Sequence, residues 1–193
     1  MTDPVRLVGI VGSLRAQSFS RIVFEAAAEL IGPQAELTEV AIRDVPLYDG
    51  DVEVAGDPPS VTNLKESVDG ADGLIVFSPE YNRGTPAITK NAIDWLSRMP
   101  RQSVLTRAAV GVVATTVGSH EAAGVRRHLA DSIGANTKRF YATTLGFGSI
   151  ADKVADGRLS DPETRSTLEM WLAGFVAHVL AHQSARHEES ASD

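Results

Sequence analysis

Val5-Arg6-Leu7-Val8-Gly9-Ile10-Val11-Gly12-Ser13-Leu14-Arg15-Ala16-Gln17-Ser18-Phe19-Ser20 is the stretch on which the fold turns. Val5 to Val11 is a short apolar run rich in β-branched residues and ended by Gly12-Ser13, which reads as a buried strand. Behind it Phe19, Ile22, Val23, Ala26, Ala27 and Leu30 recur at helical spacing until Gly32-Pro33 stops the pattern.

The same alternation continues outward. Glu36 to Ile42 reads as a second, less buried strand, and Val45 to Pro59, rich in Pro, Gly and Asp, as a long loop. Ser60 is expected to cap a helix carrying Val61, Leu64 and Val68. Gly73 to Phe77 is a third strand. Thr85-Pro86 then starts a helix whose inner face holds Ile88, Ala92, Trp95, Leu96 and Met99, since proline at a first helical position sacrifices no hydrogen bond. Ala108 to Ala114 is a fourth strand, Ser119 to Ile133 a helix, and Lys138 to Leu145 a fifth strand. Asp161-Pro162 opens a last helix with Leu168, Trp171, Leu172, Phe175, Val179 and Leu180 on its apolar face. Strands separated by helices imply parallel pairing through right-handed crossovers, so the expected class is α/β, a doubly wound parallel sheet. Ligands of such sheets bind beyond the carboxyl ends of the strands. That directs attention to three loops: Gly12 to Phe19, Ser78 to Thr85, and Thr115 to His120.

Composition narrows the chemistry. At 193 residues the chain suits one well-buried core, expected over 1–185, with a polar, frayed tail over 186–193. Its 18 basic and 25 acidic side chains leave a net charge of −7, which repels polyphosphate, so nucleic acid is not an expected partner. There is no cysteine, which excludes disulfides, thiolate catalysis and Cys-ligated metals. No apolar run approaches the roughly 20 residues that span a bilayer, and Met1 to Pro4 carries no basic region of a signal peptide. A cytoplasmic protein without a membrane partner is expected.

In the first loop Ser13, Arg15, Ser18 and Ser20 converge with the free amides of a helix start, and aligned amides and the helix dipole favour an anion. The same residues also fit a plain N-cap and a solvated arginine. The patterns GxxxxGK[ST] and GxGxxG are both absent, which argues against a nucleoside triphosphate and a dinucleotide at this loop. A hydroxyl-lined loop suits a terminal phosphate monoester such as that of FMN. Thr116 and Gly118 are the third loop's candidates for the same cofactor.

The second loop carries the most specific signal: Pro79-Glu80-Tyr81-Asn82, a short linker, then Lys90-Asn91-Ala92-Ile93-Asp94-Trp95. With Gly12, Ser13, Arg15 and Ser18 of the first loop, these runs resemble the NADPH-dependent FMN reductase family of flavodoxin-like proteins, which includes quinone, chromate and azo-dye reductases. The resemblance spans roughly residues 5–182. It implies a five-stranded sheet of order 2-1-3-4-5 and FMN bound by Ser13, Arg15, Ser18 and Ser20 at its phosphate. It further implies Pro79, Glu80, Tyr81 and Asn82 along the isoalloxazine edge, largely through backbone groups, with NADPH or NADH as co-substrate. Free flavin, a quinone or another small molecule would be the electron acceptor, and a homodimer or homotetramer the assembly. Lys90, Asn91 and Asp94 would brace the loop, and Trp95 belongs to the core. The flavin carries the chemistry, so no catalytic side chain is named. The chain departs from the family pattern at Ser20, Gly84 and Ala87, and its third loop lacks the paired glycines often found there.

A flavodoxin-like electron carrier without NAD(P)H activity is the alternative, its acidic charge suiting basic redox partners. His178 and His182 lie four apart on one helix, but without a third ligand they do not make a metal site. His120 is read as an exposed loop histidine. Val125, Leu129 and the Trp171 face fit either a subunit contact or the core.

Overall fold

The computed structural model describes residues 3–98 and 103–190, with the side chains of the last helix described to Gln183. In chain order the main elements are β1 (Val5–Val11), α1 (Phe19–Leu30), β2 (Ala35–Glu39), α2 (Gly50–Ala55), α3 (Pro59–Asp69), β3 (Gly73–Pro79) and α4 (Ala87–Leu96). They continue with β4 (Ala109–Thr115), α5 (Ala123–Gly134), β5 (Leu145–Phe147), a small antiparallel hairpin β6 (Val154–Ala155) and β7 (Arg158–Leu159), and α6 (Pro162–Ser190).

β1 to β5 form one parallel sheet of order β2-β1-β3-β4-β5. The expected flavodoxin-like arrangement is therefore the one observed. It places β1 and β3 side by side, and the chain winds outward from this pair in opposite directions. Loops leaving neighbouring strands there diverge to opposite faces and open a crevice between them.

Burial on both sides explains why the strands read as continuous apolar runs. Ile75 and Phe77 face α1 and α6 with Phe24, Trp171 and Phe175, while Leu74 and Val76 face α3, α4 and α5 with Leu64, Trp95 and Leu129. Successive residues of a strand point to opposite faces, so β3 supplies both cores. Val125, Leu129 and Trp171, which fitted either core or interface, are buried within the chain. Gly111 of β4 lies directly under α6: a Cβ there would come within 2.8 Å of Trp171.

Four expectations need correcting. The fifth strand is Leu145–Phe147, not Lys138 to Leu145. Phe140 makes a single bridge to Val110, and the chain then leaves the sheet through a turn at Ala142 to Thr144, whose Thr143 carbonyl accepts from Trp171 Nε1. The helix expected from Ser119 begins at Ala123, because Glu121 and Ala122 are left-handed. Ser60 does not cap α3. Pro58 holds the cap position, and the Ser60 hydroxyl donates instead to the Asp44 carbonyl at 2.9 Å. The Pro- and Asp-rich segment is not wholly loop: it contains α2, capped by Asp49. Met99, expected on the inner face of α4, lies outside the described residues. The backbone of α6 runs on to Ser190, and residues 191–193 of the expected tail are likewise outside them.

α1 is tied to β2 by a two-pronged ion pair, Arg21 Nη1 and Nη2 donating to Glu39 Oε2 and Oε1 at 2.8 and 2.7 Å. Hydrogen bonding from Arg21 holds the Glu39 carboxyl below its ordinary 4.5, against an opposing effect of burial. Because the folded value is lower than the unfolded one, this stabilisation is complete above pH 4.5 and is lost as pH falls through the lowered value. The Glu39→Gln variant should lose less than about 1 kcal/mol at neutral pH, as partly exposed pairs do. Its melting temperature should fall less steeply than that of the parent protein below that pH. Parallel acid limbs in the two melting curves would contradict this.

Candidate functional site

The three loops at the carboxyl ends of β1, β3 and β4 are tied to one another in pairs. Ser13 Oγ and Tyr81 Oη lie 3.4 Å apart, linking the first loop to the second. Ser20 Oγ and Thr115 Oγ1 lie 3.0 Å apart, linking the first to the third. The Glu80 amide donates to the Thr115 carbonyl at 2.9 Å, linking the second to the third.

Gly12 fixes where the first loop leaves the sheet. Its amide donates to the Phe77 carbonyl at 2.7 Å, and a Cβ on it would sit 2.1 Å from Thr89 Oγ1. Ser18 caps α1, its hydroxyl accepting from the Arg21 amide at 3.1 Å. The amides of Phe19 and Ser20, in the first helical turn, are left without intrahelical acceptors. Arg15 is exposed, and among the described residues its guanidinium has no acceptor. Free amides, a helix start, an unpaired guanidinium and the Ser13 hydroxyl together make a donor set for a phosphate monoester. The residues present therefore fit the FMN phosphate. Ser20 has a different place from the rest: it is 1% exposed and lies beneath the loop, bonded to Thr115.

The second loop is a two-residue hairpin. Tyr81 and Gly84 exchange backbone hydrogen bonds at 3.2 and 2.9 Å across Asn82 and Arg83, whose φ angles are +51° and +64°. Two consecutive left-handed residues define a type I′ turn. Tyr81 is 47% exposed and forms an aromatic wall beside Ser13, while Pro79 ends β3 under the loop.

Glu80 does not point its side chain into the crevice. Its side chain is 3% exposed. Oε2 accepts from the Val125 amide at 3.0 Å, and Oε1 lies 3.1 Å from His120 Nε2. A carboxylate at a helix N-terminus meets unpaired amides and the positive end of the dipole. His120 is thus the partner of Glu80 and not a solvated loop residue. Its ring rests against Gly118, whose amide donates to Thr116 Oγ1 at 3.2 Å. Thr116 is 8% exposed, so its hydroxyl serves the loop's own backbone, while Val117 beside it is exposed. Immediately after it, Glu121 and Ala122 have φ of +51° and +52°. Left-handed geometry is what glycine adopts freely and other residues adopt at a cost.

The family's Lys-Asn-Ala-Ile-Asp-Trp run acts at a distance from the crevice. Asn91 accepts from the Tyr48 amide at 2.8 Å and donates to the Pro46 carbonyl at 2.8 Å, and Trp95 Nε1 donates to the same carbonyl at 2.8 Å. These residues clamp the segment after β2 and do not brace their own loop. Lys90 and Asp94 pair with each other at 2.6 Å along α4. His178 bonds the Arg139 carbonyl at 3.0 Å. Thr115 opens the third loop as read from sequence but was not among its candidate site residues. It resembles any strand-end threonine, and only the tertiary fold makes it the point where all three loops meet.

A sequence profile of the NADPH-dependent FMN reductase family matches residues 5–150. A quinone reductase of Escherichia coli is 32% identical over 193 aligned positions, covering 96% of this chain and 95% of that protein. An NAD(P)H-dependent FMN reductase of Pseudomonas aeruginosa is 34% identical over 133 residues, 69% of this chain and 71% of that one. Among solved structures, FerB, a flavoenzyme NAD(P)H:(acceptor) oxidoreductase from Paracoccus denitrificans, superposes with a TM-score of 0.81 at 28% identity over 92% of this chain and 98% of its own. With the matched profile covering most of the chain and the crevice at the β1–β3 switch point furnished for a flavin phosphate, this chain belongs to the NADPH-dependent FMN reductase family and is an FMN-dependent NAD(P)H oxidoreductase.

Proposed function

We propose that the protein reduces a quinone or free flavin with electrons from NADPH or NADH, using FMN seated in the crevice between the loops of β1, β3 and β4. The observation that carries the reading is the mutual bonding of three strand-end loops around an unpaired Arg15 and the open amides of α1. FMN, when bound, supplies the two-electron chemistry, taking a hydride from the nicotinamide and returning the electrons to the acceptor. Arg15, Ser13, Ser18 and the loop amides hold the phosphate. Ser20 positions the site from below through Thr115. Tyr81 walls the ring system, and the Pro79 to Asn82 backbone with Thr116 and Gly118 frames its edge. Glu80 keeps the second and third loops at a fixed distance.

The quinone reductase relatives support a quinone as acceptor, and each of the three loops carries an exposed apolar or aromatic side chain, Leu14, Tyr81 and Val117, of the kind that suits a planar apolar ring. No helix among the described residues is long and apolar enough to cross a membrane, and use of the NAD(P)H pool fits placement in the cytoplasm; the family resemblance is what suggests a homodimer or homotetramer. The acidic chain gives nucleic acid no basic surface.

The test is the anaerobic absorbance spectrum of the FMN-loaded protein before and after NADPH. Loss of the flavin band followed by its return on adding a quinone is expected. A bound flavin that stays oxidised with both NADPH and NADH would instead indicate an electron carrier. The Arg15→Ala variant should hold FMN about tenfold to a hundredfold more weakly, the value of charge-assisted hydrogen bonds to a phosphate, with riboflavin binding unchanged. Equal weakening for both flavins would remove Arg15 from the phosphate.

A further inference from the structure

We infer that Arg43, in the segment after β2, is a positioning residue of the flavin site. It holds the peptide between Leu14 and Arg15 in the orientation that presents the first loop's donors to the FMN phosphate. The inference rests on that loop being the phosphate site. Arg43 Nη2 donates to the Leu14 carbonyl at 2.7 Å, across 29 residues. The loop is anchored at its ends, by the Gly12 amide on Phe77 and by Ser18 at the head of α1, while Leu14 to Gln17 between them are all exposed. Among the described residues, the bond from Arg43 is the one hydrogen bond that reaches this exposed stretch from another part of the chain.

A trans peptide points its C=O and the following N–H in opposite directions. By fixing the Leu14 oxygen on one side, Arg43 turns the Arg15 amide to the other, where it donates to Ser13 Oγ at 3.4 Å. The Tyr81 hydroxyl, 3.4 Å from the same oxygen, can donate to it as well. A hydroxyl oxygen that accepts such bonds keeps its own hydrogen for a further acceptor, and a phosphate oxygen is one. Were the peptide turned over, the Leu14 carbonyl would stand where the Arg15 amide now is. An acceptor there faces an anion with the wrong end of its dipole.

Arg43 can exert this hold because its base is fixed. It lies in a turn between buried Ile42 and Val45, closed by the Val45 amide on the Ile42 carbonyl at 3.4 Å. The Asp44 carbonyl accepts from Ser60, and the Pro46 carbonyl accepts from both Asn91 and Trp95 of α4. Only the arginine stem remains to be ordered, which limits the entropic cost of the bond to one side chain. Asn91 and Trp95 thereby acquire a link to the flavin site that their distance from it conceals. They seat the turn, the turn carries Arg43, and Arg43 sets the phosphate loop.

Fluorescence titration of the full chain with FMN and with riboflavin, which lacks only the phosphate, reads this role. Arg43→Met removes the donor and keeps an apolar stem. It should weaken FMN about fivefold to tenfold, the value of one hydrogen bond, with riboflavin affinity and melting temperature unchanged. The fold-difference from the parent should persist in about 1 M salt, where the screening length is about 3 Å and a distant charge no longer acts. In a Ser13→Ala background Arg43→Met should cost clearly less, because both changes act on one hydroxyl. A difference that vanishes in high salt would reduce Arg43 to a remote charge and overturn the inference. Equal weakening of FMN and riboflavin, or full additivity with Ser13→Ala, would overturn it too. Failure of the phosphate reading itself would appear separately, as a preference for FMN over riboflavin that survives both Arg15→Ala and Ser13→Ala.

Discussion

Gly12→Ala is expected to abolish detectable FMN binding and to destabilise the fold by roughly 2–3 kcal/mol, the range for forcing extra volume into a packed site. The added Cβ would sit 2.1 Å from Thr89 Oγ1, 3.3 Å from the Phe77 carbonyl and 3.4 Å from Pro79 Cδ. Two of these neighbours belong to β3 and cannot retreat without moving the sheet, and Thr89 is wholly buried on α4. The first loop must therefore lift, breaking the 2.7 Å bond from its own amide to Phe77 and carrying Ser13 and Arg15 away from α1. FMN fluorescence titration and thermal melting read the two effects. Thr89 Oγ1 has no hydrogen-bond partner, so removing it sacrifices little polar bonding. The Gly12→Ala, Thr89→Ala pair should then recover part of both losses, because the closest clashing atom has gone. An unchanged FMN affinity in the single variant would show that the loop tolerates displacement and does not grip the phosphate.

The contrast between Gly12 and Thr89 shows what the sequence could and could not reveal. Gly12 stood out because a glycine between a buried strand and a helix start marks a sharp exit near a ligand. Thr89 carried no such mark, lying among the helical residues of α4. The doubly wound parallel class was legible because the apolar runs of β1, β3 and β4 are continuous and separated by helices, whereas the order of the strands came with the family resemblance. The fifth strand was misplaced because Phe140 and Tyr141 have strand-like side chains, yet α6 draws the segment out of register by bonding Thr143 through Trp171. Tertiary packing overrode local preference there. Ser13, Arg15 and Ser18 were legible as candidate donors in the first loop, whereas Ser20, read with them, lies beneath it. The links that hold the loops together were not legible, since Ser20 to Thr115 spans 95 residues and Ser13 to Tyr81 spans 68.

Glu80 is the sharpest instance, because its motif is visible in sequence while its task is not. Glu80→Ala should cost roughly 3 kcal/mol, the scale for leaving buried partners unpaired. Two groups lose their acceptor at once: the Val125 amide at the start of α5, and His120 Nε2. The imidazole can donate through Nε2 whether neutral or charged, so the carboxylate orients it in either state. The unpartnered Nδ1 is then an acceptor when the ring is neutral, which is less costly to bury than an idle donor. Without Glu80 the third loop loses its side-chain tie to the second, although the Glu80 amide still reaches the Thr115 carbonyl. FMN affinity should therefore drop together with stability. Glu80→Gln preserves an oxygen for Val125 and should lose less of both, about 1 kcal/mol, the value of a single weakened hydrogen bond. Melting curves and FMN titrations on the two variants separate the possibilities. Loss of stability with unchanged FMN affinity would confine Glu80 to capping α5, since Gly124 already packs the helix start against Arg83. Unchanged stability in Glu80→Ala would mean that water replaces the carboxylate at both partners, and the buried pair would then contribute nothing to holding the crevice open.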